Sequence, residues 1–252
     1  VEMKPKILAV IPARFASKRF PGKPLSPLAG KSLIERLYRE TARSKLIDRI
    51  VVATDSRRII KGVQEFGGEA LMTSGKHRTG SDRTAEAWKK LGGEIILNIQ
   101  ADHLGVTGGM YDRVLARMLG DRSIEFATLA AKVDSEQVLF NPNRVKIIMN
   151  STGDAFWFSR YPLPYLQGVN GGRLDEFDFY YHIGVYFFRK KGLKQFAAWP
   201  RSPHEKAESL EQLRILENHR RIRVFKITSK IISIDTPEDL KQAEKQFSAD
   251  RS

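Results

Sequence analysis

Cysteine is absent from the 252 residues, which excludes a disulfide framework and a thiolate metal centre and is permissive for a reducing compartment. Nowhere do about 18 uncharged apolar residues run together, the length a membrane-crossing helix needs. The opening VEMKPKILAVIPAR has too short an apolar stretch for a secretory signal. A soluble cytoplasmic protein is the expectation. The five histidines show no zinc-ligand spacing, and no serine, histidine and acid stand out as a nucleophilic triad. Acidic side chains are the scarcer sign, 29 against 43 Lys and Arg for a formal charge of +14. That balance favours a polyanionic partner, whether nucleic acid, an anionic membrane or a phosphorylated small molecule. With 41% hydrophobic residues a substantial core is available, so disorder is not the default. The chain has no internal repeat and no low-complexity tract.

Short apolar runs rich in β-branched residues recur at Lys6–Ile11, Arg49–Thr54, Glu69–Met72 and Glu94–Ile99, each suited to a strand buried on both faces. Between them lie helical periodicities. Over Lys31–Ser44 the residues Leu33, Ile34, Leu37 and Tyr38 fall on one stripe, and Arg57–Gly68 is closed by a glycine pair. The alternation predicts an α/β fold with a doubly wound, mostly parallel sheet, whose ligand crevice lies beyond the C-terminal strand ends. From Ile124 the character changes: Ile124–Val133, Arg144–Asn150, Asp154–Arg160 and Asp178–Lys190 read as strands with few helices between. A mixed or antiparallel, strand-rich elaboration over residues 124–190 is expected, with Tyr161–Phe177 as a mobile excursion. Helices return at Ser209–His219 and Thr236–Phe247, the latter with Thr236 as N-cap and Pro237 in first helical position. One domain over residues 1–252 is the simplest account.

The stretch IPARFASKRFPGKPL, Ile11–Leu25, follows the first strand and gathers Arg14, Lys18, Arg19 and Lys23 around Pro21, Gly22 and Pro24. Four cations in one loop repel one another unless an anion sits among them. The spacing is not GxxxxGK[ST], so phosphate must be held differently: Gly22 lets backbone N–H groups approach an anion, while Lys23 and Arg14 supply charge-assisted hydrogen bonds. A triphosphate cradle is the sharp reading and a surface connection the bland one. Asp102 follows an apolar strand and Asp235 lies at another strand-to-helix junction. Magnesium favours a few carboxylates together with phosphate and water oxygens. Singly, Asp102 reads as a loop residue and Asp235 as a helix cap; together with the basic loop they favour metal. HRTGSDR, His77–Arg83, reads equally as a turn with an N-cap or as hydrogen-bonding groups for a base or phosphate. His182 lies in an aromatic strand, where a satisfied core histidine is the commoner role, and Phe179–Phe188 reads as core or dimer contact rather than a base-stacking platform.

Nine segments are specific enough to compare: IPARFASKRFPGKPL, VVATD at Val51–Asp55, FGGEALMTS at Phe66–Ser74, TGSDR at Thr79–Arg83, FNPNRVKII at Phe140–Ile148, FSRYPLPY at Phe158–Tyr165, HIGVYFFR at His182–Arg189, LEQLRILENH at Leu210–His219 and IDTPEDL at Ile234–Leu240. Together they resemble one family, the 3-deoxy-manno-octulosonate (Kdo) cytidylyltransferases of the sugar nucleotidyltransferase superfamily. They stand in family order and span nearly the whole chain. The resemblance implies a Rossmann-like nucleotidyltransferase sheet. It implies transfer of CMP from CTP to the anomeric hydroxyl of Kdo with release of pyrophosphate, for the lipopolysaccharide inner core, with Mg as cofactor in a homodimer. It maps the nucleotide site onto Ala13, Arg14, Gly22, Lys23, Thr73, Ser81, Asp82 and Arg83. Lys23 and Arg14 would serve the triphosphate, and Asp102 and Asp235 the metal. The sugar site maps onto Gln100, Arg160, His182, Tyr186, Glu211 and Gln212, with Arg160 suited to a carboxylate because a guanidinium binds it bidentately. The chain departs where the family reads Gln-Gly-Asp-Glu-Pro: here Gln100 is followed by Ala101, Asp102, His103 and Leu104, and Ser233 stands where glycine is common. Those changes keep a related 2-keto acid sugar open as acceptor. The alternatives are a CMP-sialic acid synthetase or other sugar nucleotidyltransferase, a non-catalytic paralogue that binds CTP or sugar, and a nucleic-acid-binding protein with a contiguous basic face. Stable nucleic-acid binding and membrane insertion are not expected.

Overall fold

The computed structural model describes residues 6–16, 20–101, 103–168, 172–229 and 231–249. Their contacts divide them into two compact units, one built from the chain up to 119 and from 230 onward, the other from 120–229.

In the first unit, β1 (Ile7–Ala13) leads to a 3-10 turn at Lys23–Leu25, the short strands β2 (Pro27–Leu28) and β3 (Lys31–Ser32), and α1 (Leu33–Thr41). Then come β4 (Arg49–Thr54), α2 (Arg57–Glu65), β5 (Ala70–Met72), α3 (Gly80–Leu91), β6 (Ile95–Ile99), β7 (His103–Leu104) and α4 (Gly108–Gly120). The sheet order is β6-β1-β4-β5, parallel throughout, with Val10 opposite Val51 and Ala9 opposite Leu97. Leu8, Ala9, Val10, Ile11, Val51, Val52, Ile96 and Leu97 have no exposed surface, as expected of strands covered on both faces. The first helix starts later than its periodicity, because Lys31 and Ser32 pair with Leu28 and Pro27 and Ser32 then caps α1 by accepting from the Glu35 N–H.

The second unit holds β8 (Phe126–Lys132), α5 (Glu136–Phe140), β9 (Lys146–Met149), β10 (Ala155–Ser159), α6 (Arg173–Glu176), β11 (Tyr180–Arg189), α7 (Lys190–Ala198), α8 (Pro203–Glu208), α9 (Leu213–Glu217) and β12 (Arg223–Ile227). Its strands run β10-β9-β11-β8-β12, antiparallel except for the β8/β12 pair. The expected mixed, strand-rich half is therefore present, with β12 as a strand that sequence reasoning did not anticipate. The helix expected over Ser209–His219 is shorter: Ser209 is the C-cap of α8, with a left-handed φ of 53°, and α9 begins only at Leu213. Part of the Tyr161–Phe177 excursion, residues 169–171, lies outside the described residues.

The chain then returns to the first unit as β13 (Ile232–Ser233) and α10 (Pro237–Ala249). β13 pairs antiparallel with β7, and Ile234 and Ala243 pack with Leu28, Leu33 and Leu104. Thr236 caps α10 as its sequence suggests, accepting from the Asp239 N–H at 3.2 Å while Asp239 receives the N–H groups of Asp235 and Thr236. Among the described residues, no helix is long and apolar enough to cross a membrane.

Candidate active site

Arg14 is the first residue beyond β1, and the loop it opens turns back where the Gly22 N–H donates to the Phe15 carbonyl at 2.9 Å. Gly22 has φ 74° and ψ 4°, left-handed geometry that side chains disfavour. Lys18 and Arg19 lie outside the described residues. The Arg14 guanidinium donates through Nη2 to the carbonyl of His77. Burial lowers its pKa and repulsion from Arg83 adds to this, with Asp55 and Asp82 opposing. Lys23 Nζ donates to the Ile234 carbonyl at 2.8 Å and stands 3.9 Å from Asp235 Oδ1. The apolar packing of β13 and α10 thus delivers one predicted metal ligand to one predicted phosphate lysine. The other, Asp102, lies outside the described residues. Among the described residues, no group of three or more His, Asp or Glu is arranged to hold a metal by itself.

The remaining nucleotide candidates lie just beyond β5 and at the start of α3, with Thr73, Ser81 and Arg83 buried and Asp82 half-buried. Thr79 and Asp82 make a reciprocal capping box at the start of α3, with the Asp82 N–H 3.1 Å from Thr79 Oγ1 and the Thr79 N–H 3.2 Å from Asp82 Oδ2. Arg83, without exposed surface, donates to Thr73 Oγ1 at 2.5 Å and Asp55 Oδ2 at 3.0 Å. Ser81 Oγ accepts from Asn98 Nδ2 at 2.9 Å. Two atoms here, Arg83 Nε and Asn98 Oδ1, are buried without a hydrogen-bond partner. Such atoms are uncommon and mark a place where a water or ligand can complete the bonding.

In the second unit, His182 and Tyr186 project from β11 on either side of an irregularity between Ile183 and Tyr186, which shifts the register against β8 and re-aims side chains. Thr128 Oγ1 donates to the Val185 carbonyl at 2.7 Å and lies 2.8 Å from His182 Nε2. Since the hydroxyl has one proton, the short contact assigns the Nε2 proton to His182. The His182 and Tyr186 rings lie 5.1 Å apart, and the Tyr186 hydroxyl donates to Gln212 Oε1 at 3.0 Å. Gln212 Nε2 is buried without a partner. Arg160 follows β10 and donates to the carbonyls of Glu208 at 2.7 Å and Pro142 at 2.9 Å. The Glu208 carboxylate receives the Arg160 N–H at 2.9 Å and the Ser159 hydroxyl at 2.7 Å. Nearby Lys146, on β9, has no exposed surface and donates to the Asn141 carbonyl at 2.9 Å. Burial, then Arg160, push its ammonium down to about 8 against the pull of Glu208.

The cytidylyltransferase family model matches residues 8–222. A 3-deoxy-manno-octulosonate cytidylyltransferase of Geobacter metallireducens is 40% identical over 249 residues, 96% of this chain and 98% of the relative. One of Geobacter sulfurreducens is 42% identical over 243 residues, 94% and 97% respectively. The chain belongs to the 3-deoxy-manno-octulosonate cytidylyltransferase family. It is accordingly a nucleotidyltransferase. Its fold superposes with a TM-score of 0.89 on a CMP:2-keto-3-deoxy-manno-octonic acid synthetase complexed with CTP, 33% identical and covering 97% of this chain and 99% of the other. A glucose-1-phosphate thymidylyltransferase from Bacillus anthracis, at 14% identity and TM-score 0.69, shares the fold.

For a member of this cytidylyltransferase family, the structure brings Arg14, Gly22, Lys23 and Asp235 together around one loop, and His182, Tyr186 and Gln212 into one linked cluster. Ala13 ends β1, Gln100 follows β6, and Glu211 lies just before α9, partly buried. Asp55, Asn98, Thr128, Glu208 and Lys146 were not anticipated as site residues. Asp55 was visible only as the end of the VVATD word and Lys146 only inside FNPNRVKII, and the others carry no sequence signal beyond their type.

Proposed function

We propose that this chain transfers CMP from CTP to the anomeric hydroxyl of Kdo or a closely related 2-keto acid sugar, releasing pyrophosphate. The observation that carries the reading is Lys23, at the end of the loop that follows β1, brought to 3.9 Å from Asp235, between β13 and α10. Arg14 and Lys23 bind the triphosphate oxygens by charge-assisted hydrogen bonds. Lys23 offsets the charge that develops at the α-phosphate as the sugar hydroxyl displaces pyrophosphate in line. No covalent nucleophile is needed, because positioning and electrostatics carry most of phosphoryl and nucleotidyl transfer. Magnesium suits the hard carboxylate oxygens of Asp235, with Asp102 as the second ligand by resemblance. When bound, it neutralises phosphate charge.

In the second unit, Arg160 offers its remaining N–H groups to the sugar carboxylate, and His182, Tyr186 and Gln212 offer polar atoms to its hydroxyls. Gln100 and Glu211 complete the sugar set by resemblance. Thr73, Ser81, Asp82 and Arg83 support the nucleotide side, with Ala13 and Gly22 giving backbone approach. The exposed aromatics Phe156 and Tyr161, at 64% and 74%, favour a homodimer through the strand-rich unit. The protein acts in the cytoplasm, in supply of the lipopolysaccharide inner core.

The test is pyrophosphate release from CTP and magnesium with Kdo, with amino-substituted Kdo, with sialic acid, or with no sugar. Release with Kdo that stops on chelation by EDTA is the expected outcome. Release only with another acid sugar reassigns the acceptor, and the replacement of the family's acidic neighbour by His103 is the observation that makes this arm necessary. Silence with every sugar despite CTP binding overturns the catalytic reading.

A further inference from the structure

Between β5 and α3 the chain forms a loop, Thr73 to Thr79, that is tethered at both ends. The Thr73 N–H donates to the Thr54 carbonyl at 2.8 Å, and the Thr79 capping box fixes the other end to α3. The middle of the loop is folded around one carboxylate. Glu86, on α3, accepts from the Ser74 N–H at 2.9 Å and lies 2.5 Å from His77 Nε2, both through Oε2, while Lys90 Nζ stands 2.7 Å from Oε1. Burial pushes the Glu86 carboxyl up, but hydrogen bonds from Lys90, Ser74 and His77 outweigh it and bring its pKa to about 2. The carboxylate is therefore ionised at any working pH. The backbone carbonyl of His77, whose ring Glu86 grips, is the group that accepts from the Arg14 guanidinium. Arg14 is partly desolvated and repelled by Arg83, with Asp55 and Asp82 drawing the other way, and the His77 carbonyl gives its guanidinium a fixed acceptor.

We propose that Glu86 and His77 are positioning residues for the nucleotide. Glu86 folds the Thr73–Thr79 loop through the Ser74 N–H and the His77 ring, and the His77 carbonyl, accepting from one Nη of Arg14, holds the guanidinium so that its remaining N–H groups meet the triphosphate. The inference rests on the reading of Arg14 as a triphosphate ligand. Neither residue touches the substrate; they act by sparing the nucleotide the work of ordering a long side chain. Their effect falls on CTP affinity and not on the sugar or the chemical step.

The experiment measures CTP binding by calorimetry without sugar, and steady-state pyrophosphate release, for the full chain and for Glu86→Ala, Glu86→Gln, Arg14→Ala and the Glu86→Ala/Arg14→Ala double variant. Thermal unfolding establishes that each variant is folded. Glu86→Ala is expected to weaken CTP binding and raise its KM about tenfold, leaving kcat and the sugar KM within about twofold. Glu86→Gln, which keeps an acceptor for Ser74 and His77, is expected to recover most of the loss. In the Arg14→Ala background Glu86→Ala is expected to add less than about twofold, since the two act through one contact. An unchanged CTP KM in folded Glu86→Ala, or the same tenfold loss with Arg14 already removed, overturns the proposal. If Glu86→Ala does not fold, His77→Gln carries the same comparison, because it keeps the backbone carbonyl and loses the ring. Failure of the unsubstituted chain to bind CTP overturns the reading of the nucleotide site itself, and the proposal with it.

Discussion

A rise in stability is expected on the alkaline side of neutrality, and replacing Lys146 by methionine should abolish it. The ammonium, without exposed surface, is pushed from 10.5 to about 8, first by burial and then by Arg160, with Glu208 opposing. A lysine that releases its proton more easily folded than unfolded makes folding less favourable while both states hold the proton. Stability is therefore lowest below about pH 8 and rises toward the unfolded pKa, since over that interval the unfolded chain binds more protons. At about 1.4 kcal/mol per pH unit, the gain between about pH 7 and about pH 9.5 has a ceiling of roughly 2 kcal/mol. Screening by the polar groups around Arg160 and Glu208 reduces it to about 1 kcal/mol.

Tyr181, which pairs with Lys146 across β9 and β11, has its pKa raised by burial and would act oppositely near pH 10, so the comparison stops before it titrates. The assay is urea unfolding followed by fluorescence in a Trp88→Phe background, which leaves Trp157 and Trp199 of the second unit as the reporters, at several pH values. A difference between the unsubstituted protein and Lys146→Met that stays flat across the range would refute the reasoning, whatever its size at neutral pH.

Two further substitutions test the first unit. Arg83→Met strips the donors from Thr73 and leaves the Asp55 carboxylate without its ion partner. Because the carboxylate left behind is partly exposed while Thr73 loses its buried donor, the loss should be about 1–2 kcal/mol, and a thermal-unfolding loss equivalent to less than about 0.5 kcal/mol would mean that the pair is replaceable by packing. Gly22→Ala places a side chain at φ 74° and should destabilise by about 1–2 kcal/mol while raising the CTP KM. An unchanged KM would separate the turn's geometry from nucleotide binding.

The parallel strands were legible because a strand covered on both faces reads as an unbroken apolar run; Ile7–Ala13 and Ile95–Ile99 could hardly be anything else. β12 was not, since Arg223 and Lys226 break up a five-residue segment whose burial comes from pairing with β8, a partner about a hundred residues earlier. The late start of α1 is likewise set by a strand pairing, and the irregularity in β11 by its neighbour's register. At the site, Arg14 and Lys23 stood out as cations crowded just beyond an apolar run. Asn98, Glu86 and Lys146 did not, because an asparagine in a strand, a glutamate in a helix and a lysine in a strand are ordinary until a specific partner is seen through space. Sequence pattern reports which face is apolar; it does not report which hydrogen bonds close across it.

The contact between Lys23 and the Ile234 carbonyl joins residues 211 positions apart, and this has a consequence for the protein while it is being made. At a synthesis rate of about 5–20 residues per second, the basic loop precedes its acidic counterpart by on the order of 10–40 s. During that interval β1 and the loop exist without β13, α10 or Asp235, so a prematurely terminated chain carries the cations and lacks the carboxylate that balances them. On the proposed reading of Asp235, competence is therefore gained only once residues 231–249 have followed the rest, and fragments that stop short of them are expected to attract polyanions without being able to process them.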